Sequence, residues 1–306
     1  MKQLAIVIPF YKIDFFEETL KSIASQTNQN FTLYIGNDAS ANDPLPTIQK
    51  YLKKDRYHYY NYTTNLGGEN LALQWERILE NVKEEWFQIL GDDDMISANF
   101  VEEFYINMTF ADHLSSNVIK FSQCFINESG EKTNNYTLFD KTTSPEDVWR
   151  SKHFFQNRSS LSEHIFRTSA FRRHLFRKFP LAWYSDDIAV LEFSERKEII
   201  FIKNAKVYIR MSSVNISSKT DNAKEKEKAK IQYLELILSR YLFLFTKDQL
   251  IKEFDDYLHL CWKNKITANL HFTPIYLKTR PWYKLVNIPY KKYLLYKNAA
   301  LPRTAI

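Results

Sequence analysis

The stretch that decides the fold is Trp86-Phe87-Gln88-Ile89-Leu90-Gly91-Asp92-Asp93-Asp94. Its first five residues are mostly apolar and predict a short buried strand, and Gly91 lets the backbone turn sharply or approach a ligand closely. On an extended backbone, Asp92 and Asp94 point to one side and Asp93 points to the other. Two like-sided carboxylates suit a hard cation such as Mg²⁺ or Mn²⁺. A solvated acidic turn is the alternative, because aspartate is common in turns.

Strands and helices alternate along the first hundred residues. Short apolar runs predict the strands, and apolar residues at a spacing of three or four predict the helices between them. This alternation predicts an α/β fold with a mainly parallel central sheet. Ligands bind such sheets beyond the carboxyl ends of the strands. The predicted strands cover residues 4–8, 31–35, 57–62 and 86–90, and the predicted helices cover residues 15–25, 46–52 and 69–82.

The chain is predicted to divide near residue 222. Residues 1–222 form the predicted α/β domain, and residues 223–306 form a helical C-terminal region with a basic, aromatic tail. Apolar residues recur at helical spacing between Ile231 and Phe245, and a second helix is predicted over residues 249–262.

Composition excludes several classes of protein. The 306 residues contain no uninterrupted apolar stretch of the ~18 residues that a membrane-spanning helix needs. The start lacks the features of a signal peptide, and the two cysteines, Cys124 and Cys261, are too few and too distant for a disulfide or zinc framework. We therefore expect a cytoplasmic protein. The five glycines form neither a dinucleotide-binding fingerprint nor a P-loop.

The positive charge is concentrated in the tail. Residues 276–306 hold seven Lys and Arg residues and no acidic residue, whereas the net charge of the whole chain is +6. Tyrosines and tryptophan lie between these basic residues, a composition that favours an anionic membrane surface. Peripheral contact with the inner face of the cell membrane is one interpretation, and packing of the aromatic residues on the α/β body is the other. No nucleic acid partner is expected.

Five motifs follow one another in the first hundred residues. They are Ile6-Val7-Ile8-Pro9-Phe10-Tyr11, Leu20-Lys21-Ser22-Ile23-Ala24-Ser25-Gln26-Thr27, Asn37-Asp38-Ala39-Ser40, Asn65-Leu66-Gly67-Gly68 and Gly91-Asp92-Asp93-Asp94. Taken together and in this order, they resemble the start of family-2 glycosyltransferases with the GT-A fold. The resemblance is strong over residues 1–110 and looser over residues 160–210. It implies an enzyme that takes a sugar from a nucleotide-diphosphate sugar.

The resemblance also implies roles for single residues in the donor site. Asp38 corresponds to the acid that binds the uracil or ribose, and Pro9 and Tyr11 would line the nucleotide pocket. Asp94 is the expected metal ligand, and Asp92 would contact the ribose or the metal. The implied donor-binding set is Pro9, Tyr11, Asp38, Asn65, Gly68, Asp92 and Asp93, and the implied metal is Mn²⁺ or Mg²⁺.

A general base is the remaining requirement of an inverting transfer, because the acceptor hydroxyl must lose a proton. The family places it in an acid pair that opens a helix, and residues 184–191 are similar to that segment. Asp187 corresponds to the catalytic acid and Asp186 to its neighbour. Capping of a helix by Ser185 or Asp186 is the alternative. Arg210 is interpreted either as a ligand of the diphosphate or as an ordinary surface arginine.

The function that these features predict is an inverting hexosyltransferase of polysaccharide biosynthesis. A UDP-sugar is the expected donor, and a glycan or lipid-linked hydroxyl is the expected acceptor. Two rival functions remain at this point. One is a sugar nucleotidyltransferase, although no Gly-rich loop follows the first strand. The other is a catalytically silent nucleotide-sugar-binding protein of the same fold.

Overall fold

The computed structural model describes residues 2–155, 157–213 and 222–269. In this part of the chain, nine strands form one sheet in the order β3-β2-β1-β4-β8-β6-β9-β5, and β7 pairs with β9. The strands are β1 (Leu4–Phe10), β2 (Phe31–Asp38), β3 (Tyr57–Tyr62), β4 (Trp86–Ile89), β5 (Met95–Ile96), β6 (Val118–Ile126), β7 (Thr142–Thr143), β8 (His164–Arg167) and β9 (Ile199–Arg210).

The first half of the sheet is parallel. β1 lies between β2 and β4, and β3 extends the sheet beyond β2. The predicted α/β fold with a parallel sheet is therefore confirmed. β8 interrupts this arrangement, because it lies between β4 and β6 and runs antiparallel to both. The carboxyl ends of β1, β2 and β4 meet at one edge, where the acidic motifs follow the strands.

Helices cover both faces of the sheet because the strands are apolar on both sides. Along β1, Leu4, Ile6 and Ile8 belong to one hydrophobic core, and Ala5 and Val7 belong to a second. Residues of α1 and α4 join the first core, and residues of α3 and α7 join the second. The helices are α1 (Phe16–Ala24), α2 (Leu45–Tyr51), α3 (Leu71–Leu79), α4 (Phe100–His113), α5 (Pro145–Phe155), α6 (Thr168–His174), α7 (Ser185–Ser194), α8 (Ala223–Arg240) and α9 (Lys247–Lys263).

The contacts within the chain divide it into two compact units, Met1–Asp221 and Asn222–Ile306. In the second unit, α8 and α9 pack together, and the hydroxyl of Tyr257 donates to Glu235 at 2.8 Å. Thr246 and Gln249 form a capping box that begins α9. The basic tail, residues 276–306, lies outside the described residues. Within the described ranges, no helix is both long enough and apolar enough to cross a membrane.

Candidate active site

A tight turn follows β4 and carries the three consecutive aspartates. The backbone amide of Asp94 donates to the carbonyl of Gly91 at 3.2 Å, so the extended backbone that we predicted for Asp92–Asp94 is wrong. A Cβ atom at Gly91 would lie 2.9 Å from a carboxylate oxygen of Asp94 and 3.0 Å from one of Asp93. Glycine at this position therefore leaves room for the two carboxylates, and the alternation rule does not decide where the three carboxylates point.

Asp92 holds the loop that follows β1. Its Oδ2 accepts hydrogen bonds from the backbone amides of Tyr11 and Lys12, both at 2.8 Å. Its carbonyl accepts a hydrogen bond from the hydroxyl of Thr19 at 3.0 Å. One carboxylate oxygen, Oδ1, accepts no hydrogen bond from the residues that the structure describes. Asp92 thus fixes the end of β1 and keeps one oxygen available for a ligand.

Asp94 is buried between two other segments. Its Oδ1 accepts the backbone amide of Arg210 at 2.9 Å, and its Oδ2 accepts the hydroxyl of Ser162 at 2.6 Å. The Ser162 hydroxyl also accepts the amide of Gly91 at 3.1 Å. Each carboxylate oxygen accepts one of these hydrogen bonds, so each retains a lone pair for a cation.

Asp93 carries the carboxylate with the fewest protein partners in the turn. Across the described ranges, its side chain accepts a hydrogen bond from no other residue. Burial, and then the charge of Asp94, raises the pKa of Asp93 to about 7. Burial likewise raises the pKa of Asp92 to about 7 and that of Asp94 to about 6. Three carboxylates in one turn therefore favour a bound cation or proton.

The turn fits a metal ion only if a ligand shares the coordination. Within the part of the chain that the structure describes, no group of three His, Cys, Asp or Glu side chains is arranged to hold an ion. Mg²⁺ is commonly held by one or two carboxylates, with substrate phosphates and water completing its shell. The carboxylate oxygens of Asp92–Asp94 are of the type that Mg²⁺ prefers, and two of the three carboxylates would be enough.

Asp38, the last residue of β2, shapes the loop that follows β3. Its Oδ1 accepts the amide of Leu66 at 2.8 Å and a guanidinium N–H of Arg77 at 2.7 Å, and its Oδ2 accepts the amide of Gly67 at 2.7 Å. A Cβ atom at Gly67 would lie only 2.5 Å from Oδ2, so Gly67 permits this contact. The Arg77 guanidinium also stacks on the ring of Tyr62 at 3.7 Å.

The other predicted donor residues lie around the same edge. Asn65 accepts the amide of Gly68 through its side-chain oxygen at 2.5 Å, which closes the loop. Pro9 is in register with Gly36 of β2. The side chain of Tyr11 is exposed, and its carbonyl accepts the hydroxyl of Ser40 at 2.6 Å. The structure thus brings the ends of β1, β2, β3 and β4 together.

Arg210 is buried, so its interpretation as an ordinary surface arginine is wrong. Its side chain donates to the carbonyls of Asp93, Asn127 and Glu128 at 3.0–3.1 Å and forms an ion pair with Glu18. The bond to Asp93, together with the backbone bond to Asp94, holds the aspartate turn from the side of β9. Arg210 therefore supports the site from within.

The acid pair opens α7, as the resemblance implies. The Nζ atom of Lys152, on α5, lies 2.5 Å from Oδ1 of Asp187 and 3.2 Å from Oδ2 of Asp186. Burial raises the pKa of Asp187 to about 6, and the charge of Lys152 opposes that rise. Burial would lower the pKa of Lys152, but the charges of Asp186 and Asp187 outweigh it and raise that pKa.

The alternative role of these residues as a helix cap does not match the structure. Tyr184 occupies the N-cap position with a left-handed backbone, φ 69°, and no side chain caps the helix there. The hydroxyl of Ser185 donates instead to the carbonyl of Arg177 at 2.5 Å. Asp186 and Asp187 are therefore free of a capping role, and Lys152 is their ion-pair partner.

A buried ion pair lies close to both groups of carboxylates. The Nζ atom of Lys120, on β6, donates to Glu163 at 2.8 Å, and both side chains are almost fully buried. The charge of Glu163 adds to the rise in the pKa of Asp94, which burial dominates. Lys120 interacts in turn with the charge of Asp187. The aspartate turn and the acid pair therefore each interact electrostatically with one member of the same buried ion pair.

Comparison with known proteins identifies the family. The family model for glycosyl transferase family 2 matches residues 5–179, which is more than half of the chain. This chain belongs to that family. The predicted resemblance is confirmed, and the protein is a glycosyltransferase. No curated protein matches its sequence.

Solved structures of TarS from S. aureus share the fold. Residues 1–349 of TarS in complex with UDP-GlcNAc match with a TM-score of 0.62 and 16% identity over 90% of this chain and 79% of that one. The complex with UDP matches with a TM-score of 0.59 and 16% identity, over 90% and 78%. The longer TarS structure matches with a TM-score of 0.58 and 15% identity, over 92% of this chain and 50% of that one. The predicted GT-A fold is thereby confirmed.

Several residues of the site carry no signal in the sequence. Lys152, Ser162 and Arg77 belong to none of the five motifs, and their importance depends on contacts between distant segments. Lys120 lies in the middle of a strand, where a lysine ordinarily predicts an exposed face. No spacing pattern in the sequence identifies any of these four residues as part of the site.

We predict that Lys120→Met destabilises the first unit by about 3–5 kcal/mol, because it leaves the Glu163 charge buried without its partner. Urea unfolding followed by near-UV circular dichroism measures this. The control is Lys203→Met, at an exposed position of β9, which should cost less than about 0.5 kcal/mol. The double variant Lys120→Met/Glu163→Gln should be more stable than Lys120→Met. Equal stability of the Lys120 and Lys203 variants would contradict this account.

Proposed function

We propose that this glycosyltransferase is an inverting, metal-dependent enzyme that transfers a sugar from a UDP-sugar to a hydroxyl of a glycan or lipid-linked acceptor. The observation that carries the proposal is that two groups of carboxylates interact with the same buried ion pair, Lys120–Glu163. One group is the turn at Asp92–Asp94, and the other is Asp186–Asp187 at the start of α7. An inverting transfer needs one group for the donor diphosphate and one for the acceptor proton.

The donor would bind at the edge where β1, β2 and β4 end. Parallel α/β sheets bind ligands at this edge, and the loops here are held by Asp92 and Asp38. TarS, whose fold this chain shares, has been seen with UDP-GlcNAc and with UDP. The uracil and ribose would lie beside Tyr11, Asp38 and the Asn65–Gly68 loop.

A divalent cation, Mn²⁺ or Mg²⁺, would be held by Asp94 and Asp92, with Asp93 beside it. Elsewhere in the site each buried acid has its own cation: Lys152 for Asp187, and Arg77 for Asp38. In the described ranges, no Lys or Arg side chain forms an ion pair with the three aspartates of the turn. The metal would offset the charge that develops on the departing diphosphate.

Asp187 would act as the general base. Its Oδ1 contacts Lys152, and its Oδ2 accepts no hydrogen bond from the described residues. The acceptor oxygen forms the new bond to the anomeric carbon while its proton passes to Oδ2 of Asp187. The bond between the anomeric carbon and the diphosphate oxygen breaks, and UDP leaves with the bonding electrons. Attack on the opposite face inverts the configuration at that carbon.

The rival functions predict other results in one assay. The family match argues against a sugar nucleotidyltransferase, and a silent binding protein would bind a UDP-sugar without releasing UDP. A panel of UDP-sugars, including UDP-GlcNAc, incubated with Mg²⁺ or Mn²⁺ and assayed for released UDP, separates these possibilities. The sugar that releases UDP fastest then serves as the donor in the tests below.

We predict that Asp94→Asn abolishes UDP release, because it removes a charge that holds the metal. The asparagine keeps an oxygen that can accept the amide of Arg210, so the turn should stay folded. Thermal unfolding gives a second readout: UDP with Mn²⁺ should stabilise the native protein more than UDP with a chelator, and this difference should disappear in the variant. Asp93→Asn is the matched comparison and should retain more activity. Full native activity in a chelator would contradict the proposal.

We predict that Asp187→Asn lowers UDP release by ~10²–10⁴-fold, the usual contribution of a general base. Its affinity for UDP, measured by calorimetry, should remain native, since the residue does not touch the nucleotide. Asp186→Asn is the control and should have the smaller effect. A loss of UDP affinity would place Asp187 in the nucleotide site, and native activity would exclude it as the base.

We also propose that residues 276–306 contact an anionic membrane surface, as their basic and aromatic composition suggests. Such contact would bring a lipid-linked acceptor to the active site. Binding to liposomes should increase with the content of anionic lipid and decrease with salt. It should also be lost when residues 276–306 are removed. Recovery of the intact protein in the supernatant at low salt, with or without anionic lipid, would contradict this.

A further inference from the structure

The inference concerns Lys152, which no sequence motif singles out. It lies in the last turn of α5, and its side chain reaches the first turn of α7. There its ammonium group is shared by two adjacent carboxylates, at 2.5 Å from Asp187 and 3.2 Å from Asp186. The three side chains are 29%, 11% and 22% exposed, in the order Lys152, Asp187, Asp186. A partly buried cation between two acids is therefore fixed at the start of α7.

We propose that Lys152 is a positioning residue that keeps Asp187 ionised and turns its free oxygen towards the acceptor. The proposal rests on the assignment of Asp187 as the base. Two neighbouring carboxylates with little access to water would retain a proton between them at neutral pH. The ammonium group neutralises one of the two negative charges, so one carboxylate remains able to accept a proton. Because it binds Oδ1 of Asp187, it leaves Oδ2 without a protein partner.

The other charged groups near Asp187 do not replace Lys152. Asp186, on the same helix, disfavours ionisation of Asp187, and His153, on α5, favours it more weakly than Lys152. On β6, Lys120 is bound to Glu163, whose charge compensates it. On α6, Arg173 and His174 pair with Glu195, beyond the other end of α7. Lys152 is thus the cation in direct contact with the base.

The sign of the expected pH effect follows from this arrangement. The base acts when it is ionised, so activity should fall as the pH falls through the pKa of Asp187, about 6. Removal of a contacting cation raises the pKa of a carboxylate by ~1–3 units. In Lys152→Met the acidic limb of the pH profile should therefore move up by at least about one unit. For a shift of one unit, activity should be reduced about fivefold at pH 6 and should approach the native value at pH 8.5; a larger shift should reduce activity at pH 6 further.

The test is the pH dependence of kcat/KM for UDP release, measured from pH 5.5 to 8.5 at fixed Mg²⁺. Lys152→Gln, which is also uncharged, should show the same shift as Lys152→Met, and Lys152→Arg should restore the native profile. The matched control is Arg150→Gln, which removes a positive charge from the same helix where it pairs with Asp147. Its acidic limb should stay in place. Circular dichroism establishes that each variant is folded.

Two results overturn the proposal. A loss of activity by the same factor at every pH would make Lys152 a purely structural residue, and an unchanged profile would give it no influence on the base. Asp187→Asn distinguishes a failure of this inference from a failure of the proposed function. If that variant keeps native activity, the base assignment fails and the role of Lys152 fails with it. If it is inactive and the limb of Lys152→Met does not move, only the inference about Lys152 fails.

Discussion

The architecture of the site depends on the hydrogen bonds to the carboxylates of the Gly91–Asp94 turn. Asp92 accepts two backbone amides from the loop after β1, and Asp94 accepts a backbone amide from the end of β9 and the hydroxyl of Ser162. Backbone amides move only with the strands that carry them. The turn is therefore positioned by the sheet itself, and hydrogen bonds to charged acceptors are the stronger kind in proteins.

The acidic side chains of the site differ in the groups that hold them. Asp38, Glu163 and Asp187 each have a basic side chain at hydrogen-bond distance, and each such cation comes from a distant segment of the chain. The aspartate turn is held by neutral donors, which fix the carboxylates without cancelling their charge. Burial is the main cause of the raised pKa values in the turn, as it is for Asp187. The neutral donors leave the turn with the electrostatic character of a cation site that a diphosphate ligand would complete.

Local patterns in the sequence predicted the strands from β1 to β4 and the helices between them, because apolar spacing reports which faces are buried, but they missed the short strand β5. The same patterns placed Asp38 and Asp92–Asp94 at strand ends. They failed at the turn itself, since the alternation rule assumes an extended backbone and the Asp94 amide bonds to Gly91. They failed also for Arg210, which is buried where carbonyl groups from two distant segments accept hydrogen bonds from its side chain. Lys152 could not be found from sequence, because its role exists only where α5 meets α7.

The most direct test of the central claim, an inverting transfer, is the configuration of the released sugar. In the presence of Mg²⁺, proton NMR can follow the anomeric signal of the sugar freed from an α-linked UDP-sugar, with water as the acceptor. The account predicts that the first sugar formed is the β-anomer, with the α-anomer appearing later by mutarotation. Initial release of the α-anomer would contradict a single displacement with Asp187 as the base.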